Sequence, residues 1–208
     1  ERVFVKASAD APADMFPAEA RGLAWLAEAG ALSLPEVRAV SGPSAPLPFL
    51  ALEWIEPGSP TRRTMEETGR GVAALHRCGP PTFGLDHDNY LGRLPQANAP
   101  LDPSAGLADW PAFWRARRLE PQIRMAADCG LLPTSVHRDL ARLLERLPDL
   151  LGPPEPPARL HGDLWGGNLL VGAGGEPWLI DPAAYAGHRE ADLAMMRLFG
   201  GFDARCFA

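Results

Sequence analysis

The first part of the chain alternates between strand-like and helix-like patterns of apolar residues. Short Val- and Phe-rich runs predict three β-strands, over residues 2–6, 36–40 and 49–55. Between the first two strands, residues 18–29 place Leu23, Leu26 and Ala27 at helical spacing, which predicts an α-helix that ends at Gly30. The order strand, helix, strand, strand is typical of a small α+β unit.

The pattern changes at Pro57-Gly58-Ser59-Pro60, which marks the best candidate for a domain boundary. We therefore predict one unit over residues 1–56 and a second, mainly helical unit over residues 57–208. Helical periodicity predicts helices over residues 65–77, from Asp109 to about Ala127, and over residues 134–147. The last of these is amphipathic, with one apolar face formed by Val136, Leu140, Leu143, Leu144 and Leu147.

The last part of the chain is predicted to contain a β-hairpin and a further helix. Residues 168–171 and 177–180 form two apolar runs around a Gly-rich turn, and the helix follows near Asp192. The chain begins inside a predicted strand without an initiator Met, and no helix stop signal lies near Phe207 and Ala208. We therefore expect these residues to be a fragment of a longer protein.

Composition restricts the possible partners of the protein. The 208 residues are 46% hydrophobic and 22% charged, which is typical of a globular protein that stays in solution. A net charge of −6 argues against nucleic acid or an anionic membrane as partner, because both require basic patches. No apolar run is long enough for a membrane span, and Cys78, Cys129 and Cys206 have no metal-ligand spacing. Reduced thiols in a cytoplasmic protein are the expectation.

The segment Leu160–Asn168 carries the strongest indication of chemistry. It places Asp163 five residues before Asn168, with Gly166-Gly167 allowing a sharp turn, and Asp181 ends the apolar run that follows. Phosphoryl transfer needs a carboxylate beside the attacking hydroxyl and oxygen ligands for Mg²⁺ on the ATP phosphates. Asp163 is therefore the candidate catalytic base, and Asn168 and Asp181 are the candidate metal ligands. The alternatives are a polar turn between strands and, for Asp181, a turn-initiating Asp before Pro182.

A kinase site also needs a Lys that reaches the phosphates and a carboxylate that fixes this Lys. Lys6 ends the first predicted strand and Glu19 lies on the following helix, with Glu28 as the alternative partner. The other interpretation is a surface Lys and an ordinary helical Glu. In a kinase, the backbone of Glu53 and Ile55 would bind adenine, although any strand offers such groups.

Three further features complete the set of candidates. His161 is expected to brace the loop by hydrogen bonding, and Asp192 either caps its helix or anchors the loop backbone. The run Gly172–Gly175 follows the catalytic loop and lacks the Lys-Ser/Thr ending of a phosphate-binding loop. A Gly-rich hairpin would be expected before Lys6, where the sequence starts.

Together these residues resemble the fructosamine kinase (ketosamine 3-kinase) family. The resemblance extends over most of the chain in the right order and is carried by the following segments: Phe4–Lys6, Met15-Phe16 with Glu19, Asp86–Gln96, Asp109–Gln122, His161–Asn168, Ile180–Ala183, Tyr185–Glu190 and Leu198–Phe202.

The resemblance implies a two-lobed, protein-kinase-like fold whose small N-terminal lobe is truncated and whose larger lobe is mainly helical. It also implies ATP-dependent, Mg²⁺-dependent phosphorylation of the 3-hydroxyl of ketoamine sugars, which makes the adduct labile and serves protein deglycation. By resemblance, Asp163 is catalytic, Asn168 and Asp181 bind metal, and Lys6 with Glu19 orients phosphate. Trp165 and His188 would lie near the sugar. Aminoglycoside- or choline-type phosphotransfer and a catalytically silent binding module remain the alternatives.

Overall fold

The N-terminal part of the protein is a three-stranded antiparallel sheet with one helix packed on it. The structure is a computed structural model that describes residues 2–105 and 109–208. Its strands lie in the order β1-β3-β2, with bounds β1 Val3–Ala7, β2 Val37–Val40 and β3 Phe49–Glu53. The register places Lys6 opposite Leu50. The three predicted strands are confirmed, but the third ends at Glu53, so Ile55 lies beyond it.

Helix α1, Met15–Ala27, begins three residues earlier than the apolar spacing predicts. Pro17 is tolerated there because the first turn of a helix has no backbone partner for its missing N–H. Phe16 and Leu23 of α1 pack against Leu50 and Leu52 of the central strand β3. This packing fixes the distance between α1 and the sheet, and with it the position of Glu19 relative to Lys6.

The remaining elements are mainly helical, with three two-stranded sheets between them. Their bounds are α2 Arg62–Arg77, β4 Asn89–Leu91, β5 Leu94–Gln96, α3 Trp110–Trp114, α4 Glu120–Asp128, α5 Thr134–Leu150, β6 Ala158–Leu160, β7 Leu169–Val171, β8 Pro177–Leu179, β9 Tyr185–Gly187 and α6 Glu190–Phe199. Short 3₁₀ turns cover Pro103–Ala105, Gly166–Asn168 and Ala204–Phe207. Within the described ranges, no helix is long and apolar enough to cross a membrane.

The helix predicted from Asp109 to about Ala127 is interrupted in its middle. Asp109 caps its start, because its side chain accepts the N–H of Ala112. A π-helical turn over Arg115–Leu119 then separates α3 from α4. Pro121 has no N–H to donate to Arg117 O, and the Arg118 side chain donates to this carbonyl instead. Helical periodicity predicts the helix but does not predict this π-helical turn.

Helix α5 has the predicted position, and its apolar face is mostly accessible to solvent. Of its apolar face only Leu147 is buried, whereas Val136 and Leu143 are exposed in the part of the chain that the structure describes. The predicted helix is therefore confirmed, but most of its apolar face is not covered by the described residues. Amphipathic spacing shows that a helix has an apolar face, but it does not show which neighbour covers that face.

The predicted hairpin and the strands around it form the part of the fold that carries the candidate site. Strands β7 and β8 pair as a hairpin, and β6 pairs with β9. The loop from His161 to Asn168 runs between β6 and β7, and Asp181 lies between β8 and β9. Because both pairs are antiparallel, the two segments leave the strands side by side.

Candidate active site

The loop that carries Asp163 turns sharply after β6. Gly162 has φ of +81°, a left-handed conformation that favours glycine, and a Cβ there would overlap the carbonyl oxygen of Ala183. Asn168 then points back toward Asp163, because its Nδ2 donates to Asp163 O at 2.8 Å and to Asp163 Oδ2 at 2.9 Å. The spacing of these two residues thus places their side chains in direct contact.

The side chain of Asp192, which is buried and 1% exposed, holds the backbone of this loop by hydrogen bonds. Its Oδ1 accepts the N–H of Gly162 and its Oδ2 accepts the N–H of His161, both at 2.9 Å. Asp192 lies in the first turn of α6 but is not the cap residue, which is Arg189. Of the two roles left open by the sequence, the hydrogen bonds therefore match the anchor and not the cap.

Asp192 has a third partner, His76 on α2, whose Nε2 lies 3.0 Å from Asp192 Oδ2. Burial by itself would raise the pKa of Asp192, but the hydrogen bond and charge of His76 and the nearby His161 and Gly162 N–H outweigh it and lower the pKa. The carboxylate is therefore ionised at neutral pH. His76 lies within the helix predicted over residues 65–77, but no local signal connects it to a residue 116 positions away.

His161 braces the same loop from inside. It is fully buried; its Nε2 lies 2.9 Å from Ile180 O, and its Nδ1 accepts the N–H of Asp163 at 3.3 Å. A ring that accepts at Nδ1 donates at Nε2, so the neutral tautomer fits both contacts. Burial lowers the pKa of His161. These contacts are those of a structural brace rather than of a proton-transferring group.

Lys6, Glu19 and Asp181 form a second group of charged side chains. Lys6 Nζ lies 2.7 Å from Glu19 Oε1 and 2.9 Å from Asp181 Oδ1. Burial would lower the pKa of Lys6, but the charges and hydrogen bonds of the two carboxylates outweigh it and raise the pKa. The pKa of Glu19 is raised by burial, and Lys6 opposes this rise. Glu28, the alternative partner, lies 3.3 Å from Arg159 instead.

The two groups are joined by the backbone around Ile180. Its N–H donates to Asn168 O at 3.1 Å, and its carbonyl is the partner of His161. Asp181, the next residue, has φ of +55°, which is uncommon outside glycine and turns the chain toward Lys6. Asp163, Asn168, Asp181, Lys6 and Glu19 therefore belong to one connected cluster.

The donor set of this cluster fits a hard cation such as Mg²⁺. Both hydrogens of the Asn168 amide are donated to Asp163, and no described residue hydrogen-bonds to its Oδ1, which can therefore act as a ligand. Asp181 uses Oδ1 for Lys6 and has Oδ2 to offer. Mg²⁺ ordinarily takes one or two protein oxygens together with substrate phosphates. Within the described residues, no group of three or more His, Cys, Asp or Glu forms a closed metal cage.

Three other predicted residues, Trp165, Glu53 and Ile55, have side chains that make no hydrogen bond or ion pair with the charged cluster among the described residues. Trp165 is 42% exposed, and its ring lies over Gly167, where a Cβ would overlap it. The N–H of Glu53 donates to Glu36 O at 2.8 Å, so this group is already used. No hydrogen bond of the Ile55 peptide group occurs among the described residues, which leaves it available. Adenine binding by this segment stays a prediction.

His188 is another predicted site residue that lies outside the charged cluster. Its ring is 2% exposed and packs 6.1 Å from the Trp110 ring, centroid to centroid. Its Nε2 lies 3.3 Å from Pro153 O, and its Nδ1 accepts the N–H of Glu190. The ring is buried and both of its nitrogens already have partners. These contacts do not support a place for His188 beside the sugar, and that place stays a prediction.

Comparison with known proteins gives a consistent result. A family model described as fructosamine kinase matches residues 1–208. A Synechocystis protein named "Probable ketoamine kinase slr1563" is 38% identical over 207 residues, covering 98% of this chain and 66% of that protein. A Thermus thermophilus protein named "Probable ketoamine kinase TTHA1179" is 38% identical, covering 98% of this chain and 69% of its own length. The chain thus spans about two thirds of the length of these relatives.

Solved structures agree on the fold. A crystal structure from Thermobifida fusca, provisionally named a fructosamine-3-kinase, has a TM-score of 0.83 and 42% identity, covering 95% of this chain and 66% of that one. An aminoglycoside-3′-phosphotransferase of type VIII has a TM-score of 0.55 and 24% identity, covering 98% of this chain and 73% of that one. The latter likeness concerns the fold alone. The predicted α+β, kinase-like fold is confirmed, while the domain boundary at residue 57 stays a prediction.

Proposed function

The chain belongs to the fructosamine kinase family, and from this membership and the charged cluster we propose that its parent protein is an ATP-dependent kinase of ketoamines. The proposed reaction transfers the γ-phosphoryl group of ATP to a sugar hydroxyl, the 3-hydroxyl of adducts such as fructosamines or ribulosamines. A role in protein deglycation is part of the proposal. The names of the ketoamine kinase relatives support the substrate class.

The observation that carries this proposal is the connected cluster of Asp163, Asn168, Asp181, Lys6 and Glu19. A turn between strands has no need for a partly buried Lys with two carboxylate partners beside an Asp–Asn pair. Phosphoryl transfer uses all of these groups, since catalysis depends on positioning and on neutralising phosphate charge. The cluster supports a kinase over a silent binding module.

Each residue of the cluster has a task in the proposed reaction. Lys6, fixed by Glu19, would contact the phosphates of ATP. Asn168 Oδ1 and Asp181 would hold Mg²⁺, which neutralises charge on the β- and γ-phosphates when bound. Asp163 would orient the sugar hydroxyl and accept its proton as the hydroxyl oxygen bonds to the γ-phosphorus and the bond from phosphorus to ADP breaks.

The test is Mg²⁺-dependent ATP consumption by the full-length protein with a ribulosamine, a fructosamine, an aminoglycoside or choline as acceptor. We expect turnover with the ketoamines alone. Turnover confined to the aminoglycoside or to choline would overturn the substrate class while leaving the kinase chemistry intact. ATP binding without turnover on any acceptor would favour the silent module.

A variant of Asp163 tests the site. Asp163→Asn keeps an oxygen that can accept from Asn168, so the loop should fold, but it removes the proton acceptor. Turnover should fall by roughly 10²–10⁴-fold, with ATP binding close to that of the wild type. The matched control is Asp149→Asn on the exposed surface of α5, which should leave turnover unchanged. A fully active Asp163→Asn enzyme would mean that the chemistry takes place elsewhere.

A further inference from the structure

Arg159, in the middle of β6, reaches two helices at once. Its Nη1 donates to Trp25 O, its Nε donates to Cys78 O at 3.1 Å, and its guanidinium carbon lies 4.3 Å from the centre of the Trp25 ring. The side chain is only 12% exposed. No feature of the sequence singled out this residue, because its partners are 81 and 134 positions away.

Both carbonyls that Arg159 contacts lie at the C-terminal ends of helices. Trp25 is in the last turn of α1, and Cys78 directly follows α2. The N–H of Ala29, the ordinary partner of Trp25 O, donates to Leu26 O instead. The last carbonyls of a helix lack partners and carry partial negative charge, so a cation there is favourable. The guanidinium of Arg159 therefore donates hydrogen bonds to the C-terminal carbonyls of both helices.

The ion pair with Glu28 adds less to this arrangement. Glu28 Oε2 lies 3.3 Å from Arg159, and the Glu28 side chain is 65% exposed, so solvent screens the pair. The other polar contacts between α1 and residues 86–90 are also exposed: Arg21 with Asp86, and Asp14 with Tyr90. Among the described polar contacts at this end of α1, the part-buried one is that of the Arg159 guanidinium with Trp25, and it lies beside the buried apolar contacts of Leu26 with Leu75 and Ala184.

Arg159 thus connects two elements that carry parts of the proposed site, helix α1 and strand β6. Helix α1 carries Glu19, which fixes Lys6, and β6 continues directly into the loop with Asp163. We propose that Arg159 is a positioning residue that holds α1, and through it the Lys6–Glu19 pair, in place relative to Asp163. This inference rests on the kinase function proposed above.

The first test compares Arg159→Met with wild type in the ketoamine assay. We expect kcat to fall by roughly 10- to 100-fold, as for a misplacement of about 1 Å, and KM for ATP to rise, with KM for the ketoamine unchanged. Arg159→Lys should be intermediate, since an ammonium keeps the charge but lacks the planar fork. Arg142→Met, at an exposed position on α5, is the control and should behave as wild type.

A double-mutant cycle with Glu19→Gln shows whether Arg159 acts through Glu19. If it does, the double variant should be no slower than Glu19→Gln alone, because the pair is already lost. Losses that multiply would overturn the proposal, as would wild-type kcat and KM for ATP in Arg159→Met. Should Arg159→Met fail to fold, Arg159→Lys carries the test, and wild-type constants in that variant overturn the proposal. A wild-type protein without kinase activity would instead refute the proposed function.

Discussion

Replacing Asp192 with asparagine should destabilise the protein and misplace the catalytic loop. The carboxylate is buried and accepts three hydrogen bonds, from the N–H groups of His161 and Gly162 and from His76 Nε2. An asparagine has the same shape but only one accepting oxygen. Whichever way its amide is turned, its NH₂ group faces at least one donor of the loop or of His76.

The expected loss follows from these contacts. A hydrogen bond to a charged acceptor contributes about 1.5–3 kcal/mol, and a buried donor left without a partner costs about 1–3 kcal/mol. With one bond lost and one donor unsatisfied, Asp192→Asn should lower the free energy of unfolding by about 3–5 kcal/mol. Because the lost bonds hold the backbone before Asp163, kcat should fall as well.

Urea unfolding of the full-length protein at pH 7 measures this loss, with ketoamine turnover in parallel. The control is Asp203→Asn, which makes the same change at an exposed cap that accepts the N–H of Arg205. Asparagine caps a helix about as well as aspartate, so the control should lose much less stability. Equal losses in the two variants, or an Asp192→Asn enzyme with wild-type kcat, would refute the role of Asp192 as the anchor of the loop.

Three further predictions follow from the same region. Gly162→Ala should lower the free energy of unfolding by more than about 1 kcal/mol, because it combines a positive φ with an overlap of the new Cβ and Ala183 O. The control is Gly30→Ala, where φ is also positive but a Cβ would meet no atom within 4 Å. It reports the cost of the positive φ alone, so its loss of stability should be smaller. Because burial lowers the pKa of His161, its contribution to stability is present above the ordinary histidine pKa of about 6.5 and is lost as the unfolded state takes up protons at lower pH. Between pH 7.5 and 5.5, the free energy of unfolding in urea should therefore decline less for His161→Gln than for wild type. Equal declines would contradict a lowered pKa of His161. Asp181→Asn should raise the Mg²⁺ concentration needed for half-maximal turnover, and an unchanged Mg²⁺ dependence would exclude Asp181 as a ligand.

The sequence by itself determined most of the secondary structure. Helix α5 and strand β2 have nearly the predicted bounds, because alternation and helical spacing are local and follow from the geometry of the backbone. The same holds for the loop of Asp163 and Asn168, whose spacing alone brings the two side chains together. The departures are also informative: the π turn before α4 depends on Pro121 and on the Arg118 side chain, which periodicity does not describe.

Only the tertiary structure decided which distant side chains meet. Lys6 and Asp181 are 175 positions apart, and their contact depends on how β1 and the segment after β8 are packed together. The same packing buried His188 away from the charged cluster. It also brought Asp192 to the loop backbone, His76 to Asp192 and Arg159 to two helix ends, which no local pattern could indicate. A pattern along the chain records the period of an element, whereas a contact between elements depends on the shape and charge of both surfaces, and these become defined only when the chain is folded.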